Sequence, residues 1–573
     1  MSIQPTSSST RLETASSPPD ALGPWRQILV LLVLATLVRV PYLWDTRALD
    51  GDGLSYCVIA RALATGRYHG IDPFWMSLFS FWQAPFQMFT HHAILAAIMS
   101  TLLPSVLIVI PVVFLSRALF DVRVAWLAGV ACCLHPMLVE YGCNGMQESS
   151  YILLYTLATW GLTWALWRDD LAAAFLAGLA FGGFVGVRNE ALAAFLVTLP
   201  LLFVGARASK VALGRKAAQA FLMVLGFAIV LGAYIGGSLA TTGHACFFQK
   251  ASNLSKKSAD WLDKSASARE FYGAHGKLHG GGPGEKMTLL DKVETLAYRW
   301  PLNLRVELYR FSIVIAPCFL FLLPLFRRGW LPPGTRLEQT LPLAFQIAFP
   351  LLFYPVVQVE ARYFLPALVP LLIFGAAAFL ALFDALSDPM RRKGLVGVTA
   401  FAFVGLTCAY LTYRAIHVGG SVADDRKMAK WMAVHVPPQD CVLYGVYGAG
   451  KVACFLSHRQ TYPGLWTDNL AAFQPFARAH GAQWVLLYEQ TLRQIDPAVL
   501  PALDHGLPGF ELAYQMRDFE NERIQLYHLI DAAPGASAPA SGASAPAPGA
   551  SAPAPGASAP APGASSPAPT ASP

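Results

Sequence analysis

The feature that most constrains this chain is the recurrence of long apolar runs almost free of Asp, Glu, Lys and Arg. Runs of roughly 18 or more apolar residues are long enough to cross ~30 Å of hydrocarbon as helix, and a soluble core needs few of them. Charged residues make up 13% of the 573, about half the roughly 25% of an ordinary soluble chain. The runs read as spans at 25–44, 93–116, 124–140, 147–167, 171–187, 190–206, 217–240, 308–326, 339–357, 363–384 and 394–415. The first is no cleavable signal peptide, being too long and lacking a small-residue cleavage site before its polar exit. The expected fold class is a polytopic α-helical membrane protein with about 11 transmembrane helices.

Basic residues orient these spans. Arg117 and Arg123, then Arg207, Lys210, Arg215 and Lys216, then Arg327, Arg328 and Arg336, and last Arg391, Arg392 and Lys393 fall on alternating connectors. The positive-inside rule makes those connectors cytoplasmic. The net charge of +7 therefore reports topology, and no nucleic-acid partner is expected. Arg168, Asp169 and Asp170 form one connector whose charge does not vote. The N-terminus (1–24, disordered) is expected inside and everything after 415 outside, as in a multi-pass protein of a bacterial inner membrane with a periplasmic C-terminus.

The outer segments are 45–92, 241–307 and 416–530. Residues 72–92 are rich in Trp and Phe and broken by Pro85, which suits helices lying at the headgroup level. Residues 241–307, around GAHGKLHGGGPGEK, read as a mobile loop. In 416–530, polar helical stretches (ADDRKMAKWMAVHV, NLAAFQPFARAHGA) alternate with strand-like runs (CVLYGVYG, QWVLLYEQ), and FELAYQMRDFENERIQLYHLI reads as a hairpin turning near Asn521. This is a small non-cytoplasmic α/β domain. Gly445, Gly448 and Gly450 there fit turn chemistry better than a phosphate loop. From 531 to 573 the GASAPAP-like repeat has no large apolar residue and is expected to be a disordered tail.

Nine cysteines contain no CxxC pair. Cys441 and Cys454 fall outside, where a disulfide can form but is not established by sequence. Of the histidines only His275 and His279 have an i, i+4 spacing, weak in a Gly-rich loop. No metal ligands are assigned, and a divalent metal is left open.

Charges near a membrane are costly, so those retained tend to mark cavities or function. On the outer side lie Asp50 and Asp52 after the first span, Glu148 opening the fourth, Arg188 and Glu190 between the fifth and sixth, and Glu360 and Arg362 between the ninth and tenth. They come from distant parts of the chain and converge at one membrane level. A carboxylate can take a hydroxyl proton, and guanidinium suits phosphate. A cavity with both is what a sugar transferase with a lipid-phosphate donor requires. Each residue also has a plain structural reading. DGDG is turn-prone, Glu148 suits a helix N-terminus, Arg188 and Glu190 can form an interfacial ion pair, and Arg362 can snorkel.

The segment VRVPYLWDTRALDGDGLSYCVIARALATGRYHG resembles the first outer loop of GT-C class membrane glycosyltransferases, most of all the protein O-mannosyltransferase and aminoarabinose-transferase-like branch. Its carriers here are Arg39, Asp52-Gly53, Tyr56 and the stretch Ala60, Arg61, Ala62, Leu63 through Gly66. QESSYILLYTLATW resembles the branch's Glu-bearing helix through Glu148, and VEARYFLPALVPLL its late Arg-Tyr-x-x-Pro span through Arg362, Tyr363 and Pro366. The resemblance covers roughly 25–415. It implies a polyprenyl-phosphate-linked sugar donor, inversion at the anomeric carbon, and Asp52 as catalytic base with Asp50 beside it and Glu148 in support. Arg188, Arg362 and Arg61 become candidate contacts to the donor phosphate, with Glu190, Glu360 and Tyr363 nearby. The branch usually has Asp-Glu where this chain has Asp52-Gly53.

The expected function is transfer of a sugar from a polyprenyl-phosphate carrier to a protein, lipid or glycan acceptor on the outer side, amid membrane lipids. Two other classes stay open: a transporter or flippase for lipid-linked sugars, and a non-catalytic assembly subunit acting through 421–530. A transporter places its groups near the midplane, often on repeats, whereas here no repeat is evident and the charges sit at the outer ends.

Overall fold

Pro24 opens the first helix, at a position where its missing N–H costs nothing. The computed structural model describes residues 23–43, 51–66, 68, 71, 76–90, 93–189, 191–203, 210–247, 337–357, 361–386, 388–399, 405, 419–444, 460–463, 473–479, 481–489, 500–517 and 521–530. Helix α1 (Pro24–Arg39) runs into a 3-10 turn, Val40–Leu43, and is followed by α2 (Gly51–Thr65) and α3 (Leu78–Thr90). Then come α4 (Ala93–Leu107) and α5 (Val109–Leu119), α6 (Val122–Leu134) and α7 (Pro136–Tyr141), α8 (Glu148–Arg168), α9 (Leu171–Val187), α10 (Ala191–Thr198) and α11 (Lys210–Thr242). The bundle continues with α12 (Leu337–Val357) and α13 (Leu365–Ala385).

These helices follow the expected spans closely, with two corrections. The run 124–140 is broken between α6 and α7, because Pro136 has no N–H to continue the ladder. The run 190–206 gives only α10 and a 3-10 turn, Leu199–Phe203. Among the described residues three helices are long and apolar enough to cross a membrane: Ala93–Leu119, Leu213–Thr242 and Arg362–Ala385. Val122–Leu134, Leu171–Val187, Ala191–Phe203 and Thr340–Phe353 are shorter apolar helices. The expected span 308–326 lies outside the described residues, as do most of 394–415, nearly all of the N-terminal 1–24, most of the expected loop 241–307 and the tail.

Close helix packing comes from small residues, as is usual where lipid removes the hydrophobic drive between helices. α9 lies between α8 and α11. A Cβ on Gly178 would fall 2.1 Å from the Met223 carbonyl oxygen, and one on Gly226 would fall 2.5 Å from that of Phe175. The outward faces are apolar instead: Trp25, Leu29, Val33 and Leu37 on α1, and Phe221, Val224 and Ile229 on α11, are exposed. α3 is amphipathic in the same inverted sense. Its Ser80, Gln83 and Gln87 stripe is buried, while Trp82, Met88 and Phe89 are exposed, as an interfacial helix requires.

Polar contacts sort the helix ends into two sets. Asp169 adopts a left-handed conformation (φ 52°) that ends α8, and the Asp170 carboxylate accepts from the N–H groups of Ala172 (2.8 Å) and Ala173 (3.2 Å) to cap α9. Lys216 donates to Asp169 Oδ1 at 2.5 Å and Arg215 to the Asp169 carbonyl at 2.9 Å. Arg123 forks onto Asp384 (2.8 and 3.2 Å), and Arg117 reaches Gln27 at 2.9 Å. The start of α1, the connectors at 117–123, 168–170 and 210–216, and the end of α13 thereby fall at one end of the bundle. This settles the side of the connector whose charge did not vote: it lies with the basic ones.

Towards the C-terminus, α14 (Gly419–His435), β1 (Cys441–Tyr444), β2 (Gln460–Pro463), α15 (Phe473–Ala479), β3 (Ala482–Tyr488), α16 (Pro501–His505), β4 (Phe510–Arg517) and β5 (Arg523–Leu529) build a mixed sheet of order β2-β1-β3-β5-β4. β2, β1 and β3 are parallel, and β3, β5 and β4 antiparallel. The β4–β5 hairpin turns at Asn521 (φ 65°), a residue that tolerates the left-handed region. Met428 and Met432 of α14 pack with Val442, Trp484 and Leu526 on one face, while Ala477 and Leu503 pack with Val485, Leu487 and Tyr527 on the other. Cys441 carries a free thiol, and Cys454 lies outside the described residues.

Candidate active site

Four of the residues singled out by charge and resemblance meet at the end of the bundle opposite the basic connectors. Asp52 stands in the first turn of α2, Glu148 opens α8, Arg188 follows the last turn of α9, and Arg362 lies in the 3-10 turn Ala361–Phe364 that leads into α13. Arg362 Nη2 donates to Asp52 Oδ2 at 3.0 Å, and its Nε lies 3.8 Å from Glu148 Oε1. Arg188 Nη2 donates to the same Glu148 Oε1 at 2.7 Å. Side-chain exposure rises from 0% at Glu148 and 3% at Arg188 to 15% at Arg362 and 32% at Asp52. Asp52 is thus the member most open to an incoming molecule.

Aromatic rings and one thioether complete the surroundings. The Arg188 guanidinium lies 4.4 Å from the Tyr363 ring centre and 4.9 Å from that of Tyr151, a cation–π arrangement on both rings. Arg362 Nη1 lies 3.9 Å from Met146 Sδ. Tyr56, one turn after Asp52, is buried edge-on to Phe79 of α3. Burial pushes its phenol well above the usual range, and the charges of Asp52 and Glu148 push it further against the two arginines. It stays a neutral hydrogen-bond donor.

Other expectations fare differently. Arg61 lies nine residues after Asp52, which at 100° per residue is the opposite side of α2, and it is exposed. The structure does not bring it to the cluster. Asp50, Glu190 and Glu360 lie outside the described residues, as do His275 and His279. Arg39, a carrier of the resemblance, is 1% exposed and has a structural task. It donates to Ser105 Oγ (2.7 Å) and to the carbonyls of Ala35 (3.0 Å), Cys133 (3.1 Å) and Leu138 (3.4 Å), satisfying backbone groups around the α6–α7 break. The missed signal was Pro136, which announces freed carbonyls nearby.

Gly53 also finds its reason. A Cβ there would sit 3.0 Å from the Asn144 carbonyl oxygen and 3.2 Å from that of Gly145. The loop before α8 packs against α2 where the resembling branch carries a Glu side chain. A divalent cation fits this arrangement poorly. Both carboxylates already face guanidinium groups, so an added cation would meet two positive charges, and the position after Asp52 has no room for a further ligand. Among the described residues no group of three or more His, Cys, Asp or Glu converges.

This helical bundle, with a carboxylate on its first outer helix met by groups from three later elements, shares its fold with solved GT-C glycosyltransferases. No protein-family model matches the chain, and no curated protein matches its sequence. The likeness is to solved structures. ArnT from Cupriavidus metallidurans, bound to undecaprenyl phosphate, superposes with a TM-score of 0.54 at 15% identity, over 87% of this chain and 97% of that one. The apo oligosaccharyltransferase of Archaeoglobus fulgidus gives 0.50 at 12% identity, over 82% of this chain and 70% of that one. The same enzyme in complex with Zn and sulfate gives 0.50 at 12%, over 87% and 72%. At these identities the likeness establishes the fold.

Proposed function

We propose that this chain is an integral membrane glycosyltransferase that moves a sugar from a polyprenyl-phosphate carrier to an acceptor on the non-cytoplasmic side. The observation that carries the reading is Asp52, the most exposed carboxylate of the cluster, held 3.0 Å from Arg362. Its support is the fold, shared with an enzyme solved with undecaprenyl phosphate bound.

In this reading Asp52 accepts the proton of the acceptor nucleophile as that atom bonds to the anomeric carbon. The bond from that carbon to the phosphate oxygen breaks, its electron pair leaves with the polyprenyl phosphate, and Arg362 stabilises the departing charge. Attack opposite the leaving group inverts the anomeric centre. Glu148 and Arg188 are buried and paired behind Arg362. The chain supplies both a base and a cation for this step. The sequence 416–530 is assigned to the same outer side, where it can meet a protein, lipid or glycan acceptor.

Purified protein incubated with a panel of radiolabelled polyprenyl-phosphate sugars and an acceptor extract tests the donor class. Release of polyprenyl phosphate with one member and transfer of label to the extract is the expected result. Labelled donor moved across sealed vesicles without release would instead identify a flippase.

A further inference from the structure

We propose that Arg188 and Glu148 form a buried positioning pair that holds the Asp52 carboxylate through Arg362. This rests on the reading of Asp52 as general base. The contacts form one chain of alternating sign, Arg188–Glu148–Arg362–Asp52, at 2.7, 3.8 and 3.0 Å. Its members come from four separate elements: the end of α9, the start of α8, the turn before α13 and the first turn of α2. Only the Asp52 end is open.

Arg188 is excluded as a direct phosphate contact by its surroundings. It is 3% exposed, its guanidinium lies over Tyr151 and Tyr363, and one amino group is committed to Glu148. A phosphate reaching it would have to displace two rings and break a buried ion pair. Glu148 is fully buried, and one of its oxygens, Oε1, faces both arginines. Its charge therefore decides how Arg362 divides between two carboxylates. Arg188 draws Glu148 inward and leaves Arg362 to Asp52, while Glu148 keeps the far side of Arg362 anchored.

The groups facing Asp52 among the described residues are Arg362 from the turn before α13, Glu148 from α8, Arg188 behind it and Tyr56 on α2 itself. The loop before α8 contributes backbone carbonyls at Gly53. Two single substitutions therefore act in opposite directions. Glu148→Gln removes the competing negative charge and gives Arg362 to Asp52. Arg188→Met leaves Glu148 with Arg362 as its cation and draws that guanidinium away from Asp52. Removing both charges together restores the balance.

The test is the rate of polyprenyl-phosphate release between pH 4.5 and 8, using the donor that the wild type turns over and full-length protein in detergent. The acid-side pH of half-maximal rate moves down by about one unit in Glu148→Gln and up by about one unit in Arg188→Met, the size expected for one charge roughly 10 Å away at an effective dielectric near 20. In the double variant it returns to within about 0.3 units of wild type. Arg188→Lys keeps the charge without the planar fork, so the limb stays in place while kcat falls about tenfold and the donor KM holds within about twofold. Arg362→Lys raises the donor KM instead. Shifts in one common direction, or no shift in folded variants, overturn the pair. If either single variant fails to fold, the double variant and Arg188→Lys decide it. A raised donor KM in Arg188→Lys makes Arg188 a phosphate contact and overturns the pair. Asp52→Asn run in parallel separates the two claims: if it stays active the base assignment fails, whereas an inactive Asp52→Asn with unmoved limbs removes only the positioning role.

Discussion

Asp52, Glu148, Arg188 and Arg362 were legible one by one in the sequence, because a charge kept at a membrane boundary needs a reason. Their pairing was not. Arg188 sits beside Glu190 in sequence, yet it pairs with Glu148, 40 residues away. Sequence distance carries no information about which helix ends share a corner. The pairing has an energetic consequence. Glu148→Ala leaves Arg188 buried without its carboxylate, which costs about 3–5 kcal/mol, so a fall in Tm of the detergent-solubilised protein is expected. Glu148→Gln should cost less, since its amide oxygen still accepts from Arg188. At Gly53 the reverse holds. Gly53→Glu, the residue typical of the resembling branch, must push back the Asn144–Gly145 backbone and should destabilise by about 1–3 kcal/mol. A Gly53→Glu protein as stable as wild type would mean the loop yields freely.

At the scale of elements, periodicity found the helices but not their interruptions or their closest contacts. The α6–α7 break follows from Pro136, whereas the approach of α9 to α11 depends on Gly178 and Gly226, which in an apolar run read as ordinary small residues. Gly178→Leu has a carbonyl oxygen where its Cβ must go, so loss of folded protein by size-exclusion chromatography is expected. In the α/β unit, β2 and α16 escaped the sequence because each has only four or five residues. The contact between α14 and β3 brings a pH dependence. Burial pushes the Asp425 carboxyl up to about 6, although the Tyr488 hydroxyl donates to it. A folded-state value above the unfolded one means the folded form binds the proton more tightly, so stability falls as pH rises from about 4 to 6. The size is on the order of 3 kcal/mol. Hydrogen-exchange protection across 419–435, corrected for the intrinsic rise of amide exchange with pH, should fall over that range in wild type and stay flat in Asp425→Asn. Equal slopes in both would remove Asp425 as the cause.

At the scale of the whole molecule, the described basic connectors and the acidic–basic corner lie at opposite ends of one bundle. The sequence predicted that division from charge alone, and Lys216–Asp169 and Arg123–Asp384 hold it together on one side as Asp52–Arg362 does on the other. Which end faces the cytoplasm rests on the positive-inside rule. A reporter that works only outside the cytoplasm, fused after residue 530, should be active. Activity of a cytoplasmic reporter there would turn the corner towards the nucleotide-sugar pool and remove the argument for a lipid-linked donor. The fold, shared at 12–15% identity with two kinds of glycosyltransferase, leaves sugar and acceptor to be found at the site. The most direct test of the central claim is single-turnover release of polyprenyl phosphate by wild type and by a folded Asp52→Asn variant, on the donor found active. A fall of at least a thousandfold at unchanged donor binding is the predicted result. Release at the wild-type rate would contradict the assignment of Asp52 as the base.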